Sequence, residues 1–143
     1  MPGPGGQNAE GRRPVAEKLK IESTNAPAAI GPYSQAVKVS GQVLLFVSGQ
    51  LGVDPATGAF AGDTIEAQTE RALKNVLAIV EAAGGGKASL VKTTVYLKDL
   101  AHFARMNEVY TWMIGEPYPA RACLGGLQIP RNGLVEIEAI AAL

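Results

Sequence analysis

The side chains best suited to chemistry lie in the last quarter of the chain. Arg121 and Cys123 are two residues apart in a stretch typical of a β-strand, so both are expected on one face of it. Small neighbours such as Ala120 and Ala122 leave space around the guanidinium, whose paired N–H groups suit a ligand carboxylate. The pattern favours a site for a small organic anion, and the ordinary alternative is an exposed arginine in a weak surface ion pair.

Cys123 and Glu136 are the candidates for reactive groups. The cation at Arg121 would favour the thiolate of Cys123, although a small buried hydrophobic residue is the more common role of a lone cysteine. Glu136 lies between Val135 and Ile137 in an apolar strand, where burial would make its carboxylate a better proton acceptor. A solvated glutamate on an edge strand is an equally good interpretation.

Other common chemistries find little support. One His and one Cys cannot form a zinc site of nitrogen and sulfur ligands, and no carboxylate cluster has the spacing of a cation-binding loop. Gly86-Lys87 lacks the first glycine and the hydroxyl residue of a phosphate-binding loop. His102 falls in the first turn of a helix, where a structural histidine is commoner than the base of a catalytic triad. We therefore predict no metal, and the residues give no support for a nucleotide cofactor.

Composition limits the partners and the compartment. The 143 residues include 13 basic and 13 acidic side chains, so no net charge attracts phosphate and nucleic acid is not an expected partner. No run of about 18 apolar residues is available to cross a membrane. A single Cys cannot form an intramolecular disulfide, so nothing requires an oxidising compartment, and a cytoplasmic location is the default expectation, with an organelle matrix left open. Residues 1–16, rich in Gly and Pro, are predicted to be a disordered N-terminal tail, and residues 17–143 one domain.

The strand pattern predicts two hairpins and one strand between them. Residues 35–39 and 43–47 flank Ser40-Gly41, a typical hairpin turn, and 54–58 carry a second turn signal. The β-branched stretch 90–97 predicts a single strand. Two more strands, near 120–129 and 134–142, are joined by Pro130-Arg131-Asn132-Gly133 and predict the second hairpin.

Two amphipathic helices separate these strands. The first is predicted to start at Asp63 as N-cap, with Glu66 completing a capping box, and to end at Gly84-Gly85-Gly86. The second is predicted to run from the cap Asp99 to Gly115. The fold class is therefore α+β, with a sheet covered on one face by two helices.

The other face of the sheet needs a cover as well. Residues 43–47 and 139–142 show no polar alternation, which indicates burial on both faces, and a chain this short has no third layer. We expect identical subunits to cover one another. In a symmetric final hairpin Arg121 and Glu136 would lie roughly 17 Å apart along the strands. A site containing both groups would then have to form between subunits.

At these residues the sequence resembles the RidA/YjgF family of reactive-intermediate imine deaminases, also called L-PSP endoribonuclease-like proteins. The similarity extends from about residue 20 to the end. It rests on five stretches in family order: residues 30–37 (IGPYSQAV), 47–50 (VSGQ), 91–100 (VKTTVYLKDL), 118–123 (YPARAC) and 135–141 (VEIEAIA).

The resemblance implies a chorismate-mutase-like α+β fold and a homotrimer with a central β-barrel and a pocket at each subunit interface. It implies a hydrolase of C–N bonds, a 2-iminobutanoate/2-iminopropanoate deaminase. Such an enzyme converts reactive 2-imino or 2-enamino acids to 2-keto acids and ammonia without a cofactor, a form of metabolite damage control.

The resemblance also assigns residues to this site. Arg121 would hold the substrate carboxylate, Glu136 would activate water, and Tyr33 would complete the catalytic group. Four more residues would line the substrate pocket: Ser48, Gly49, Asn107 and Cys123. The chain departs from the family at Ala122, where Ser is frequent, and at 124–126 (LGG), so the substrate range is the property these departures affect.

Two other functions remain open from the sequence. A non-catalytic carboxylate-binding or chaperone-like trimer would bind keto acids without turnover. A ribonuclease, the activity with which relatives are sometimes labelled, fits poorly because the chain has no His pair and no net positive charge.

Overall fold

A computed structural model of the chain describes residues 17–41 and 43–143, and the predicted N-terminal tail lies outside these residues. The secondary structure of this part follows the order strand, strand, strand, helix, strand, helix, strand, strand. The elements are β1 (Glu17–Ile21), β2 (Ala36–Ser40), β3 (Leu44–Leu51), α1 (Ile65–Ala82), β4 (Leu90–Leu97), α2 (Phe103–Ile114), β5 (Ala120–Leu124) and β6 (Val135–Ala142).

The main sheet has four strands in the order β3-β6-β4-β5, and β1 pairs with β2 in a separate antiparallel ribbon. β6 runs antiparallel to both of its neighbours, whereas β5 is parallel to β4 because α2 makes the crossover between them. The predicted α+β class, with a mixed sheet and two helices on one face, is confirmed.

Both predicted hairpins are wrong. β2 pairs with β1 instead of β3, and β4 lies between β5 and β6. Strands that follow one another in the sequence often pair, but β5 and β6 do not, because the loop after β5 carries the last strand past β4. This loop contains two consecutive left-handed residues, Arg131 and Asn132, each with φ near +58°. β5 is also shorter than predicted, since it ends at Leu124 before two glycines, and Gly126 has φ +73°.

The helices form where the sequence predicts them. α1 starts one residue later than expected, because Thr64 is the N-cap and its Oγ1 accepts a hydrogen bond from the Ala67 N–H at 3.1 Å. It ends before Gly84, whose φ is +95°. Asp99 caps a short 3₁₀ turn over residues 100–102 that continues directly into α2.

The core lies between the helices and one face of the sheet. The apolar stripes of α1 and α2 pack on the inward residues of β4 and β6, which alternate with outward residues along each strand. The fully buried side chains include Leu73, Val76, Val95, Tyr110 and Ile137.

The opposite face of the sheet is open in the single chain, as the strand pattern predicts. Phe46 is 70% exposed and Leu44 54% exposed on β3, and Ile140 lies half-buried beside them on β6. Large apolar side chains in adjacent strands of an uncovered sheet form a surface suited to another protein chain. None of the helices in the described residues is long and apolar enough to cross a membrane.

Candidate active site

Arg121 occupies a cage of aromatic rings on the helix side of edge strand β5. Its Nη1 donates a hydrogen bond to Oδ1 of Asn107 on α2 at 2.6 Å. The guanidinium carbon lies 5.0 Å from the ring centre of Tyr110, 5.6 Å from that of Phe103 and 5.7 Å from that of Tyr33. Rings at these distances attract a cation through their π faces.

The guanidinium keeps most of its hydrogen-bonding capacity. Asn107 takes one of its five N–H groups, and within residues 17–41 and 43–143 no carboxylate lies within 4 Å of it. The Nε–Nη2 edge, which offers two parallel donors, makes no hydrogen bond to any described residue. A half-buried arginine in this state is suited to a two-pronged contact with a carboxylate ligand.

Tyr33 reaches the cage because its loop is fastened to the start of β5. The Ser34 N–H donates to Pro119 O at 3.1 Å, and the Ser34 hydroxyl donates to Tyr118 O. The Gln35 side chain then holds the preceding loop, accepting from the Ser23 N–H and donating to Pro27 O. The stretch of residues 30–37 therefore contributes one ring to the cage and two residues, Ser34 and Gln35, that anchor the loop carrying it.

The surroundings of Cys123 keep its thiol protonated, which is the less nucleophilic form. Cys123 lies on the same strand as Arg121, two residues further on, and is half-buried against the core. Burial raises the pKa of its thiol, and the positive charge of Arg121 offsets this only in part. Arg121 favours the thiolate, as the sequence indicates, but desolvation is the larger effect, which agrees with the buried role that is commoner for a lone cysteine.

Tyr110 is a fully buried member of the cage. Its hydroxyl lies 2.6 Å from Oγ1 of Thr93, which is also 0% exposed. Burial raises the pKa of the Tyr110 phenol to about 12, against smaller opposing effects of the Thr93 hydrogen bond and of Arg121. The phenol is therefore neutral at physiological pH and supplies no negative charge to the guanidinium.

Glu136 lies on the other side of the sheet, beside Gly49. A Cβ atom built on Gly49 would lie 2.1 Å from Glu136 Oε2, so the carboxylate occupies the space that a side chain at position 49 would need. The register of β3 and β6 shifts between Val47 and Gln50, which places Ser48 and Gly49 in an irregular part of the ladder. Ser48 is exposed there.

Arg121 and Glu136 do not meet within one chain. Arg121 pairs with Thr93, and Thr93 with Ala139, so Glu136 is three residues and two strands away. These offsets correspond to about 14 Å between the backbones. Side chains alternate between the two faces of a strand. Ala139 faces the core, so Glu136, three residues before it, faces the open side. The predicted register and its offset of roughly 17 Å along the strands were wrong, but the two residues are still too far apart to share a site within one chain.

A cleft of about 550 Å³ lies next to this cage on the side of Tyr33. Its walls are the loop of residues 22–31 and the turn that contains Glu116, Pro117 and Tyr118. Arg121 does not line it. The cleft and the cage share Tyr33 as a common wall.

Sequence reasoning missed Phe103, Tyr110 and Thr93 as neighbours of the arginine. Both aromatic residues lie at apolar positions of the second predicted helix, which points to packing in the core and gives no sign of an arginine beside them. A signal was nevertheless present, since Asn107 interrupts the apolar stripe between Phe103 and Tyr110, at spacings of four and three residues. A polar residue inside such a stripe indicates a buried polar partner, which is Arg121.

The fold and this geometry define a small α+β protein with a half-buried arginine on an edge strand, whose free donors suit an anion, and with one sheet face open in the single chain. The family model described as Endoribonuclease L-PSP matches residues 23–143. The RutC family protein y4sK of Sinorhizobium fredii is 52% identical over 123 residues, which cover 86% of this chain and 96% of that protein.

Two further relatives carry the RidA and deaminase names. A Salmonella typhimurium protein named 2-iminobutanoate/2-iminopropanoate deaminase is 48% identical, covering 85% of this chain and 94% of its own length. The crystal structure of RidA from Psychrobacter is 46% identical with a TM-score of 0.68, covering 87% of this chain and 99% of that one. The chain belongs to the RidA/YjgF family, whose members include proteins named imine deaminases.

Proposed function

We propose that this protein hydrolyses 2-imino and 2-enamino acids to 2-keto acids and ammonia. The proposal is carried by the Nε–Nη2 edge of Arg121, which makes no hydrogen bond to the described residues. The arginine is half-buried, and no carboxylate of the described residues lies within 4 Å of it. The 48% identity to a protein named for this reaction supports the proposal. In this proposal 2-iminobutanoate and 2-iminopropanoate are substrates, and removing these reactive compounds is a form of metabolite damage control.

The reaction requires positioning more than strong nucleophiles. Arg121 grips the substrate carboxylate through its Nε–Nη2 edge, and the free amide N–H groups of Asn107 donate to the same ligand. Glu136 takes a proton from water as the water oxygen adds to the electrophilic imine carbon. The proton is returned to the nitrogen, the C–N bond breaks, and ammonia leaves as the keto group forms. Tyr33, Ser48, Gly49 and Cys123 line the space around the substrate.

The proposed site forms between protomers of a homotrimer. Arg121 and Glu136 face opposite sides of the sheet, and the open face carries Phe46 and Leu44 as a surface for a second copy. A neighbour that covers this face would bring its own Arg121 cage towards Glu136. In this arrangement three subunits close three equivalent sites.

The first experiment couples the purified protein to a threonine dehydratase and follows keto-acid formation while free imine persists. We expect the protein to accelerate hydrolysis and Arg121→Ala to lower kcat/KM on the order of a hundredfold or more. Arg131→Ala is the matched control, because Arg131 also stacks on an aromatic ring, Phe60, at 5.4 Å, but lies in the β5–β6 loop. No acceleration, or full activity in Arg121→Ala, would refute the proposal.

The second experiment tests the shared site. We expect Arg121→Ala and Glu136→Gln trimers to retain little activity separately, although each protomer supplies the half-site that the other lacks. Random reassembly of equal amounts into trimers should restore about a quarter of the wild-type activity. No recovery in reassembled mixed trimers would show that both residues act within one chain.

Two outcomes would favour other functions. A non-catalytic carboxylate-binding or chaperone-like trimer would be stabilised by keto acids while imine decay stays unchanged. Arg121-dependent cleavage of RNA that is insensitive to salt would instead support the activity in the name of the family model.

A further inference from the structure

Four residues form a closed ring of contacts that includes Arg121. Thr93 on β4 is the register partner of Arg121, and its Oγ1 lies 2.6 Å from the Tyr110 hydroxyl. Tyr110 and Asn107 are three residues apart on α2 and therefore share a helix face. Asn107 accepts the 2.6 Å hydrogen bond from Arg121 that closes the ring.

We propose that Tyr110 and Thr93 are positioning residues that make the site selective for a carboxylate. Their hydrogen bond fixes α2 against β4, and through this contact it fixes the ring and the amide that hold the guanidinium. The inference rests on the proposed function, because it concerns the same anion-binding arginine. It adds two residues that act through Arg121 and do not touch the substrate.

Burial and side-chain stiffness support this role. Tyr110 and Thr93 are both 0% exposed, so the bond between them is not loosened by solvent. Thr93 is β-branched and has few rotamers on a strand, which gives its hydroxyl a defined position opposite Arg121. A long arginine side chain has many rotamers, and a contact that fixes its surroundings selects the one that binds.

The chemistry of the cage explains why a tyrosine suits this position. The ring of Tyr110 lies 5.0 Å from the guanidinium carbon and attracts the cation through its face, while its hydroxyl points to Thr93. The phenol is neutral, so it neither neutralises the arginine nor accepts its outer N–H groups. The cage thus holds the guanidinium while leaving its charge and its Nε–Nη2 edge for a ligand.

The test measures binding of 2-oxobutanoate and of the uncharged 2-oxobutanamide to the full chain by calorimetry. Thr93→Val and Tyr110→Phe should each weaken carboxylate binding roughly threefold to tenfold and leave amide binding unchanged. The double variant should lose little more than either single one, because both remove the same bond. Thr69→Val is the matched control, since Thr69 is equally buried and its hydroxyl has no partner among the described residues. It should bind both compounds like the wild type.

The possible failures are distinguishable. If Arg121→Ala leaves carboxylate binding unchanged, the arginine clamp of the proposed function is wrong. If Arg121→Ala abolishes binding but Tyr110→Phe and Thr93→Val bind like the wild type, only the positioning role is wrong. An equal loss for carboxylate and amide in Tyr110→Phe, which keeps the ring and its packing, would show general loosening and would also overturn it.

Discussion

A methyl group on Gly49 tests the position of the Glu136 carboxylate. The Cβ atom of Gly49→Ala would lie 2.1 Å from Oε2, 2.8 Å from Cδ and 3.0 Å from Cγ of Glu136. Ordinary contacts begin at 3.4 Å, so the carboxylate oxygen must retreat by about 1.3 Å. Because these atoms are the far end of a flexible side chain, the carboxylate can move without displacing the backbone.

This displacement should affect activity and stability very differently. A misplacement of about 1 Å in a catalytic group can lower the rate on the order of a hundredfold. The thermal midpoint should change little, since no core atom has to move. Gly86→Ala is the matched control: a Cβ atom there meets nothing within 4 Å, and the backbone is extended with φ −158°.

The assay is the initial rate of imine hydrolysis, measured beside a thermal melt for each variant. We expect Gly49→Ala to lower kcat about a hundredfold and Gly86→Ala to match the wild type. In a Glu136→Gln background the same methyl group should remove little more activity, because the group it displaces is already disabled. Wild-type kcat in Gly49→Ala, or a fully additive loss in the double variant, would refute the assignment of Glu136 as the group that activates water.

Two further predictions concern the open sheet face and the lone thiol. Phe46→Glu should keep the protomer fold, because Phe46 is 70% exposed in the single chain, but should reduce the mass in sedimentation to about that of one chain and abolish imine hydrolysis. An intact oligomer with full activity would contradict the interface. Cys123→Ala should keep kcat within about twofold, and the thiol should react slowly with iodoacetamide at pH 7 and faster as the pH rises, because burial raises its pKa and keeps it protonated. Rapid alkylation below pH 7 would contradict this account.

Local features of the fold could be predicted from the sequence, while strand pairing could not. The strand Leu90–Leu97 has the predicted bounds, and α2 begins after the predicted cap Asp99, because β-branched runs and capping residues act over a few positions. The insertion of β6 between β3 and β4 depends on contacts between residues about 90 positions apart. No local signal encodes that choice, and a short loop between apolar strands favours the wrong hairpin.

The candidate site shows the same division. Arg121 stood out because small residues surround it in the sequence, and Asn107 entered through the family resemblance. The packing of three rings around the guanidinium depends on how α2, β5 and the loop of Tyr33 come together. Side-chain types at single positions do not specify such an arrangement. For Cys123 the sequence indicates both a neighbouring cation and burial, but only the structure shows that burial has the larger effect on the thiol pKa.

The free donors of Arg121 also affect the stability of the ligand-free protein. Partial burial of a cation without an anion costs free energy. Arg121 therefore lowers the stability of the ligand-free fold at the position where the proposed ligand binds. A protein selected only for thermal stability would be expected to have an uncharged residue at this position or an acidic residue beside the arginine. In the proposed function a bound carboxylate supplies the counter-charge that the described residues of one chain lack, so ligand binding and the stability of the protein are linked.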